Sequence, residues 1–408
     1  MKPIGPTPSG FTARQGELAI AGRTAGELIA EYGPTPLFVY DSKLIAERVA
    51  DLRAAMPSEL AINYAIKANP LSALVQTMSE LVDGFDIASG GELRLVRDAG
   101  ISAERISFAG PGKDDDELRT AIVEGVTLNC ESGGETKRIL TVASQTDRQP
   151  KVALRINPPF ELRGSGMKMG GGAKPFGVDP ERVPDLVRLL QEQRADWRGF
   201  HIYAGSQSLD ADAIVEAQRN TIELAARLAE SCGAAPPHCN IGGGFGIPYF
   251  AGDEPLDIEK IGRKLDRALA ERSPLLRDTR FTIELGRYLV GEAGVYLTRV
   301  LDRKESQGQI FLVTDGGLHH QLAASGNFGT VVRRNYPVAI ANRFDAPSVE
   351  EATIVGRLCT PLDRLADQAF LPHAEVGDIV AVFCAGAYGA SASPAYFLGH
   401  GPAREALV

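Results

Sequence analysis

From Asp41 to about residue 290 the chain repeats one pattern: a short apolar run, a turn rich in glycine, serine or asparagine, then a helical stretch. Such runs stand at 61–67 (AINYAIK), 84–89 (GFDIAS), 105–110 (RISFAG) and 126–130 (VTLNC). Four more stand at 151–157 (KVALRIN), 199–205 (GFHIYAG), 238–243 (HCNIGG) and 281–286 (FTIELG). Helical stretches such as DDDELRTAIVEG and DAIVEAQRNTIELAARLAESCG separate them. Eight strands alternating with helices over this length predict a closed (β/α)8 barrel rather than an open doubly wound sheet. The helix DSKLIAERVADLRAAM precedes the first strand, with Ser42 placed as N-cap and Ile45, Val49, Leu52 and Met56 on one face.

After Gly291 the texture changes. EAGVYLTRVLDRK, QIFLVTDGG, PVAIANR, EATIVGRLC and DIVAVFCAGAYG read as strands without helices between them. The expected division is an N-terminal segment 1–36 contributing to the β domain (its ELAIAGRT reads as a strand), a barrel over 37–290, and a C-terminal β-rich domain over 291–408, a sandwich or barrel. RGSGMKMGGGAK (163–174), after the fifth strand, reads as a mobile glycine-rich loop carrying Arg163, Lys168 and Lys174.

The chain of 408 residues has a formal net charge of -9, which argues against a nucleic-acid or anionic-membrane partner. No apolar run approaches a membrane span, and MKPIGPTPSG lacks an apolar signal core, so the expected location is cytoplasmic. Five widely spaced cysteines without a Cys-x-x-Cys fit reduced thiols rather than a disulfide frame or zinc site. His319-His320 is not read as a metal site, since neighbours in a strand point to opposite faces.

Barrel enzymes carry their chemistry at the C-terminal ends of the strands. Those ends hold Lys67, Ser89-Gly90-Gly91, Gly110, Arg155, His201 with Tyr203 and Ser206, Gly242-Gly243-Gly244, and Glu284 with Arg287. Taken singly, each has an ordinary reading: a solvated lysine, a tight turn, a core histidine, an ion-pair partner. The glycine run, however, follows the seventh strand, where barrels aim backbone N–H groups at a phosphate. An amine, a phosphate cradle and a carboxylate in one barrel mouth describe a site for pyridoxal 5'-phosphate.

YAIKANP, FDIASGGEL, GSQ, GGGFG, ELGRYLV, GRLCTPLD and GAYGASASPAYF, in this order along nearly the whole chain, resemble the fold-type III pyridoxal-phosphate decarboxylases. The diaminopimelate decarboxylases are the nearer relatives and the ornithine decarboxylases lie further off. The resemblance implies an alanine-racemase-like barrel with a C-terminal β domain, and a homodimer with composite sites at the interface. It makes Lys67 the Schiff-base lysine and Glu284 the partner of the pyridine nitrogen. Gly242, Gly243 and Gly244 become the phosphate loop, with Ser206, Arg287, Tyr388 and His201 or Tyr203 as further cofactor contacts. Cys359 resembles the thiol that one subunit supplies to its partner's site as an acid. Arg155, Thr360 and Asp363 are expected near the substrate.

The sequence departs from the diaminopimelate pattern. The Arg-Pro-x-x-Tyr-like segment that reads the far carboxylate in those enzymes is replaced by DGGLHHQLAASGNFG (315–329). Thr360 stands where relatives carry an acidic residue, and Tyr203 where a histidine usually stacks on the ring. The segment resembles a side branch containing exosortase-associated decarboxylases and a decarboxylase of glutamyl groups tethered to an acyl-carrier protein. The expected activity is therefore α-decarboxylation of an amino acid or an amino-acyl conjugate. Diaminopimelate decarboxylation to L-lysine is the alternative. A racemase is disfavoured because Glu284 stands where alanine racemases of this fold place an arginine. A non-catalytic homologue is disfavoured because Lys67, the glycine loop, Glu284 and Cys359 are all present.

Overall fold

The structure is a computed structural model and describes residues 1–326 and 334–408. Asn327, Phe328 and Gly329 of the DGGLHHQLAASGNFG segment lie outside the described residues. The chain divides into two compact units. One comprises Val49–Gly246 and Leu256–Gly286; the other comprises Met1–Arg48, Ile247–Pro255 and Arg287–Val408.

The first unit is the barrel. Its strands are β1 (Ala61–Ala65), β2 (Gly84–Ile87), β3 (Ile106–Phe108) and β4 (Thr127–Cys130), followed by β5 (Lys151–Ile156), β6 (Asp196–Ile202), β7 (His238–Asn240) and β8 (Arg280–Leu285). All pair in parallel, and β8 closes on β1 through Glu284 opposite Asn63. Every predicted strand is present. Several βα turns end in a side chain that caps the next helix: Ser89, Asp114, Ser132, Asp210 and Asp257 each accept from a first-turn N–H. Asp114 and Glu117 form a reciprocal capping box on Asp115–Glu124, which Gly125 closes in the left-handed region. Asp210 caps Ala211–Cys232 by accepting from Asp212 N and Ala213 N, and Gly233 closes that helix in the left-handed region.

The second unit is built on a mixed sheet in the order Val338–Ile340, Ile379–Val382, Gly294–Ser306, Gln309–Thr314, Glu350–Val355, Arg364–Leu371. Leu37–Tyr40 pairs with both Gly294–Ser306 and Arg404–Leu407. This corrects the expected boundary at residue 37. Leu37, Phe38, Val39 and Tyr40 are all buried, as a strand covered on both faces requires. The ELAIAGRT stretch forms a small separate sheet of Thr12–Arg14, Glu17–Ile20 and Arg23–Thr24, and Leu18 and Ile20 join the apolar core of the unit. The predicted N-cap also shifts by one residue. Asp41 Oδ1 accepts from Lys43 N (2.9 Å) and Leu44 N (3.1 Å), while Ser42 Oγ donates to the Val408 carbonyl at 2.7 Å.

The loop over 163–174 makes several contacts with the barrel. Met167 and Lys168 pair antiparallel with Ser206 and Gly205. Asn157 Nδ2 donates to Gly172 O at 2.9 Å, and the Arg163 guanidinium pairs with Glu216.

Candidate active site

Lys67 sits just beyond the end of β1. The strand stops at Ala65, and a single 3-10 turn over Ile66–Ala68 buries its neighbours while leaving Lys67 exposed. Asn69 fixes the turn: its N–H donates to Ile66 O at 3.0 Å, and its Oδ1 accepts from Leu71 N at 3.1 Å. The Tyr64 hydroxyl adds a bond to Asn69 O at 2.8 Å. An extended strand would have pointed Ile66 and Lys67 to opposite faces; the tight turn lets one enter the core and presents the other.

Glu284 lies on β8, buried among polar groups. Asn240 Nδ2 donates to its Oε2 at 2.9 Å, and His201 Nε2 lies 3.0 Å from the same oxygen, off the alignment of a good hydrogen bond. Burial works against its charge, but His201, Lys67 and Arg155 outweigh burial and bring the carboxyl down to about 2. Asp86, on β2, behaves in the opposite way. Burial first and the charge of Glu284 second push it well above the carboxylate range, while Asn63, Ser107 and Lys67 only partly compensate. The sequence reading passed over Asp86; the one signal was a carboxylate inside an otherwise apolar GFDI run.

Arg155, on β5, is held by Glu131. Its NH1 donates to Glu131 Oε1 at 2.9 Å, an oxygen that also accepts from Gly110 N at 2.5 Å. Glu131 Oε2 takes Gly177 N at 3.2 Å, which ties down the end of the long loop after β5. Glu131 likewise escaped the sequence reading.

The glycine run after β7 has no room for side chains. A Cβ on Gly243 would fall on the Glu284 carbonyl, and one on Gly244 would meet Leu162 Cδ2 at 2.6 Å. Gly242 and Gly244 have φ of 74° and 90°, the left-handed region that favours glycine. Tyr203 lies beside Gly242. Ser206 Oγ is buried without a hydrogen-bond partner among the described residues. A backbone cradle closed to side chains, with an unpartnered hydroxyl on the adjoining Gly205–Ser206 segment, suits a phosphate ester. An ionised Glu284 suits a protonated pyridine nitrogen.

The remaining predicted residues belong to the β unit. Arg287 NH1 donates to Tyr249 OH at 2.6 Å, and its guanidinium lies 4.8 Å from the Tyr388 ring centre. Cys359 is exposed in the 356–363 loop, and Thr360 is half-buried beside it. Asp363, expected near the substrate, is committed to the backbone: Oδ1 accepts from Leu318 N at 2.6 Å and Oδ2 from Leu358 N at 2.8 Å. It therefore braces the Cys359 loop against the segment bearing His319 and His320. Those histidines do not point apart, since they occupy a turn rather than a strand and their ring centres are 3.9 Å apart. Burial, then His320, His400 and Arg357, bring His319 down to about 3.

A family model described as "Pyridoxal-dependent decarboxylase, pyridoxal binding domain" matches residues 42–291. The chain belongs to this family of pyridoxal-dependent decarboxylases. It is 40% identical over 381 residues to an L-glutamyl-[BtrI acyl-carrier protein] decarboxylase of Niallia circulans, covering 91% of this chain and 88% of that protein. It is 33% identical to a diaminopimelate decarboxylase of Methanothermobacter thermautotrophicus, covering 94% and 88%. Among solved structures, a diaminopimelate decarboxylase from M. jannaschii in complex with L-lysine superposes with a TM-score of 0.88 at 25% identity, covering 98% of this chain and 93% of that one. This pyridoxal-dependent decarboxylase is thus a lyase that uses pyridoxal phosphate to decarboxylate an amino acid or an amino-acyl conjugate. No helix among the described residues is long and apolar enough to cross a membrane.

Proposed function

We propose that this decarboxylase acts on an amino acid whose far end is uncharged, a glutamyl-type group held on an acyl-carrier protein. The observation that carries the reading is the chemistry of the segment where diaminopimelate enzymes read a second carboxylate. Here its described part offers His319, brought down to about 3 and so neutral near pH 7, and no arginine or tyrosine. Thr360, equally uncharged, stands where relatives carry an acid. Seating a charged substrate end without a partner would cost several kcal/mol, whereas a thioester or amide carbonyl needs only a neutral hydrogen-bond donor. The 40% identity to a decarboxylase named for a glutamyl–carrier substrate supports the same reading.

In this reading Lys67 is the amine that anchors the cofactor, Gly242, Gly243, Gly244 and Ser206 hold its phosphate, and Arg287 and Tyr388 add contacts. The bound cofactor supplies the electron sink into which the bond to the α-carboxylate breaks. Glu284 remains ionised and keeps a proton on the ring nitrogen; His201 and Asn240 fix the carboxylate that does so. The Cys359 thiol, delivered from the partner subunit of a homodimer, returns a proton to the α-carbon. The location consistent with a carrier-protein substrate is the cytoplasm. The test is CO2 release over a panel containing free glutamate, diaminopimelate, and glutamyl–carrier conjugates. Release from a conjugate at a kcat/KM well above that for diaminopimelate is expected; the reverse order overturns the substrate assignment.

A further inference from the structure

The centre of a (β/α)8 barrel is ordinarily filled by Val, Ile and Leu side chains. In this barrel Asn63, Ser107, Thr127, Asn129, Asn240 and Thr282 line a cavity of about 260 Å³ instead. Ala61 and Ala153, with their short side chains, also stand on its lining. The exposed residues Asp83, Glu104 and Arg280 stand on its lining at the N-terminal ends of the strands. Asn63, Ser107, Thr127, Asn240 and Thr282 are half-buried rather than buried. The inside of the barrel is therefore open to solvent from the face opposite Lys67. Ile106 and Phe200 line it too, but a cavity of this size with Asn, Ser and Thr side chains on its wall has room and polar partners for water.

The inner end of the cavity meets the two buried carboxyls. Asn240 donates to Glu284 Oε2 at 2.9 Å. Asn63 and Ser107 lie beside Asp86, and Asn129 Nδ2 donates to Ser107 Oγ at 2.5 Å. Neither Asn63 nor Ser107 makes a well-aligned bond to Asp86, so among the described residues both of its oxygens lack a proper partner although the residue is only 7% exposed. A buried carboxyl in that state calls for water or a proton.

We propose that this cavity is a hydrated proton conduit connecting the Asp86 carboxyl to bulk solvent through the N-terminal face of the barrel. In the exchange step the Asp86 O–H bond breaks, the carboxylate keeps the electron pair, and the proton passes to a cavity water and out along the chain of waters. The reverse transfer restores the acid, and no other reactant is consumed. The charged groups facing Asp86 are Glu284 from β8 and Lys67 beyond β1, with His201 of β6 and Arg155 of β5 acting on it through Glu284. Such a route lets the Asp86 carboxyl exchange its proton while cofactor and substrate fill the opposite end. It stands apart from the carrier-linked substrate assignment and does not depend on it.

The test uses holoenzyme with the cofactor fixed to Lys67 by borohydride reduction, so that the mouth stays occupied. On transfer to D2O, the protonated-carboxyl stretch of Asp86, assigned by its loss in Asp86→Asn, is followed by infrared spectroscopy. Fast exchange is expected in the wild type, with slowing of at least about tenfold in Ala153→Leu, which fills the cavity. Because a leucine there can disturb the barrel, Ala61→Cys provides a reversible plug. A bulky thiol-reactive group attached to it should slow exchange and its removal should restore the rate, while wild type treated identically, Cys359 included, stays fast. Equal rates in open and plugged forms, or the absence of a protonated-carboxyl band at neutral pH, overturn the proposal.

Discussion

Asp86 on β2 and Glu284 on β8 lie on the two strands that flank β1 and titrate in opposite directions inside one barrel. Glu284 has His201, Asn240, Lys67 and Arg155 around it and stays ionised. Asp86 has burial and the Glu284 charge against its ionised form, and both raise it. The surroundings thus favour the charge on Glu284 and disfavour it on Asp86, which suits a single protonated ring nitrogen.

This asymmetry has a signature in stability. Asp86 has a native pKa above its unfolded value near about 3.9, so between the two the native state binds more protons and stability falls as pH rises. Asp86→Asn removes that loss. The variant should unfold at a higher temperature than wild type at pH 8, with the difference shrinking as pH drops toward 4. Glu284 contributes oppositely: its share is present above about 4.3 and is lost as pH falls toward about 2. Thermal melts of wild type and Asp86→Asn across pH 4–8 check the Asp86 part, melts continued toward pH 2 check the Glu284 part, and an Asp86→Asn melt parallel to wild type throughout pH 4–8 would contradict the first.

Lys67→Ala should abolish the visible absorption band of the bound cofactor while leaving the fold intact. The side chain is exposed and its turn is held by Asn69 and Tyr64, so the loss of stability should stay within about 0.5 kcal/mol. The spectrum and a urea titration together separate loss of the anchor from loss of the barrel.

Much of this site was readable along the chain because a barrel places function at strand ends. Lys67, His201, Glu284 and the three glycines could be found by counting strands. Asp86 and Glu131 could not, since what makes them significant is a partner one or two strands away: Glu284 across β1 for one, Arg155 on β5 for the other. Leu37–Tyr40 was misassigned for a related reason. A four-residue apolar run fits either unit, and only its partners Gly294–Ser306 and Arg404–Leu407 decide between them.

Breaking the Glu131–Arg155 pair tests that hidden layer. Both side chains are buried, and Glu131 also holds Gly110 and Gly177. Arg155→Ala strands a buried carboxylate and should cost about 3–5 kcal/mol, read from chemical denaturation. A loss under 1 kcal/mol would mean that water replaces the guanidinium.

Gly243→Ala addresses the phosphate cradle directly. Its new methyl collides with the backbone carbonyl of Glu284, which cannot swing aside as a side chain could. The loop after β7 and the strand bearing Glu284 must then separate, so cofactor affinity should fall by about tenfold or more. Fluorescence titration of the apoenzyme with pyridoxal phosphate measures it, and a parallel melt shows whether the barrel itself survives. Unchanged affinity would remove the glycine run from the phosphate site.

The exposed thiol of Cys359 provides the last test, because its proposed role needs two chains. A homodimer that exchanges this loop has one Lys67 and one partner-supplied Cys359 in each site. Lys67→Ala and Cys359→Ala homodimers should each be nearly inactive. In a mixed dimer, one site carries both lesions and the other carries neither, so random mixing of subunits should restore about a quarter of wild-type activity, half the dimers being mixed with one intact site each. If each site instead used its own Cys359, every site in the mixture would carry one lesion and no activity would return. Size-exclusion and native mass measurements on the same mixtures confirm that subunits have exchanged, so that a failure to recover activity counts against Cys359 acting across an interface.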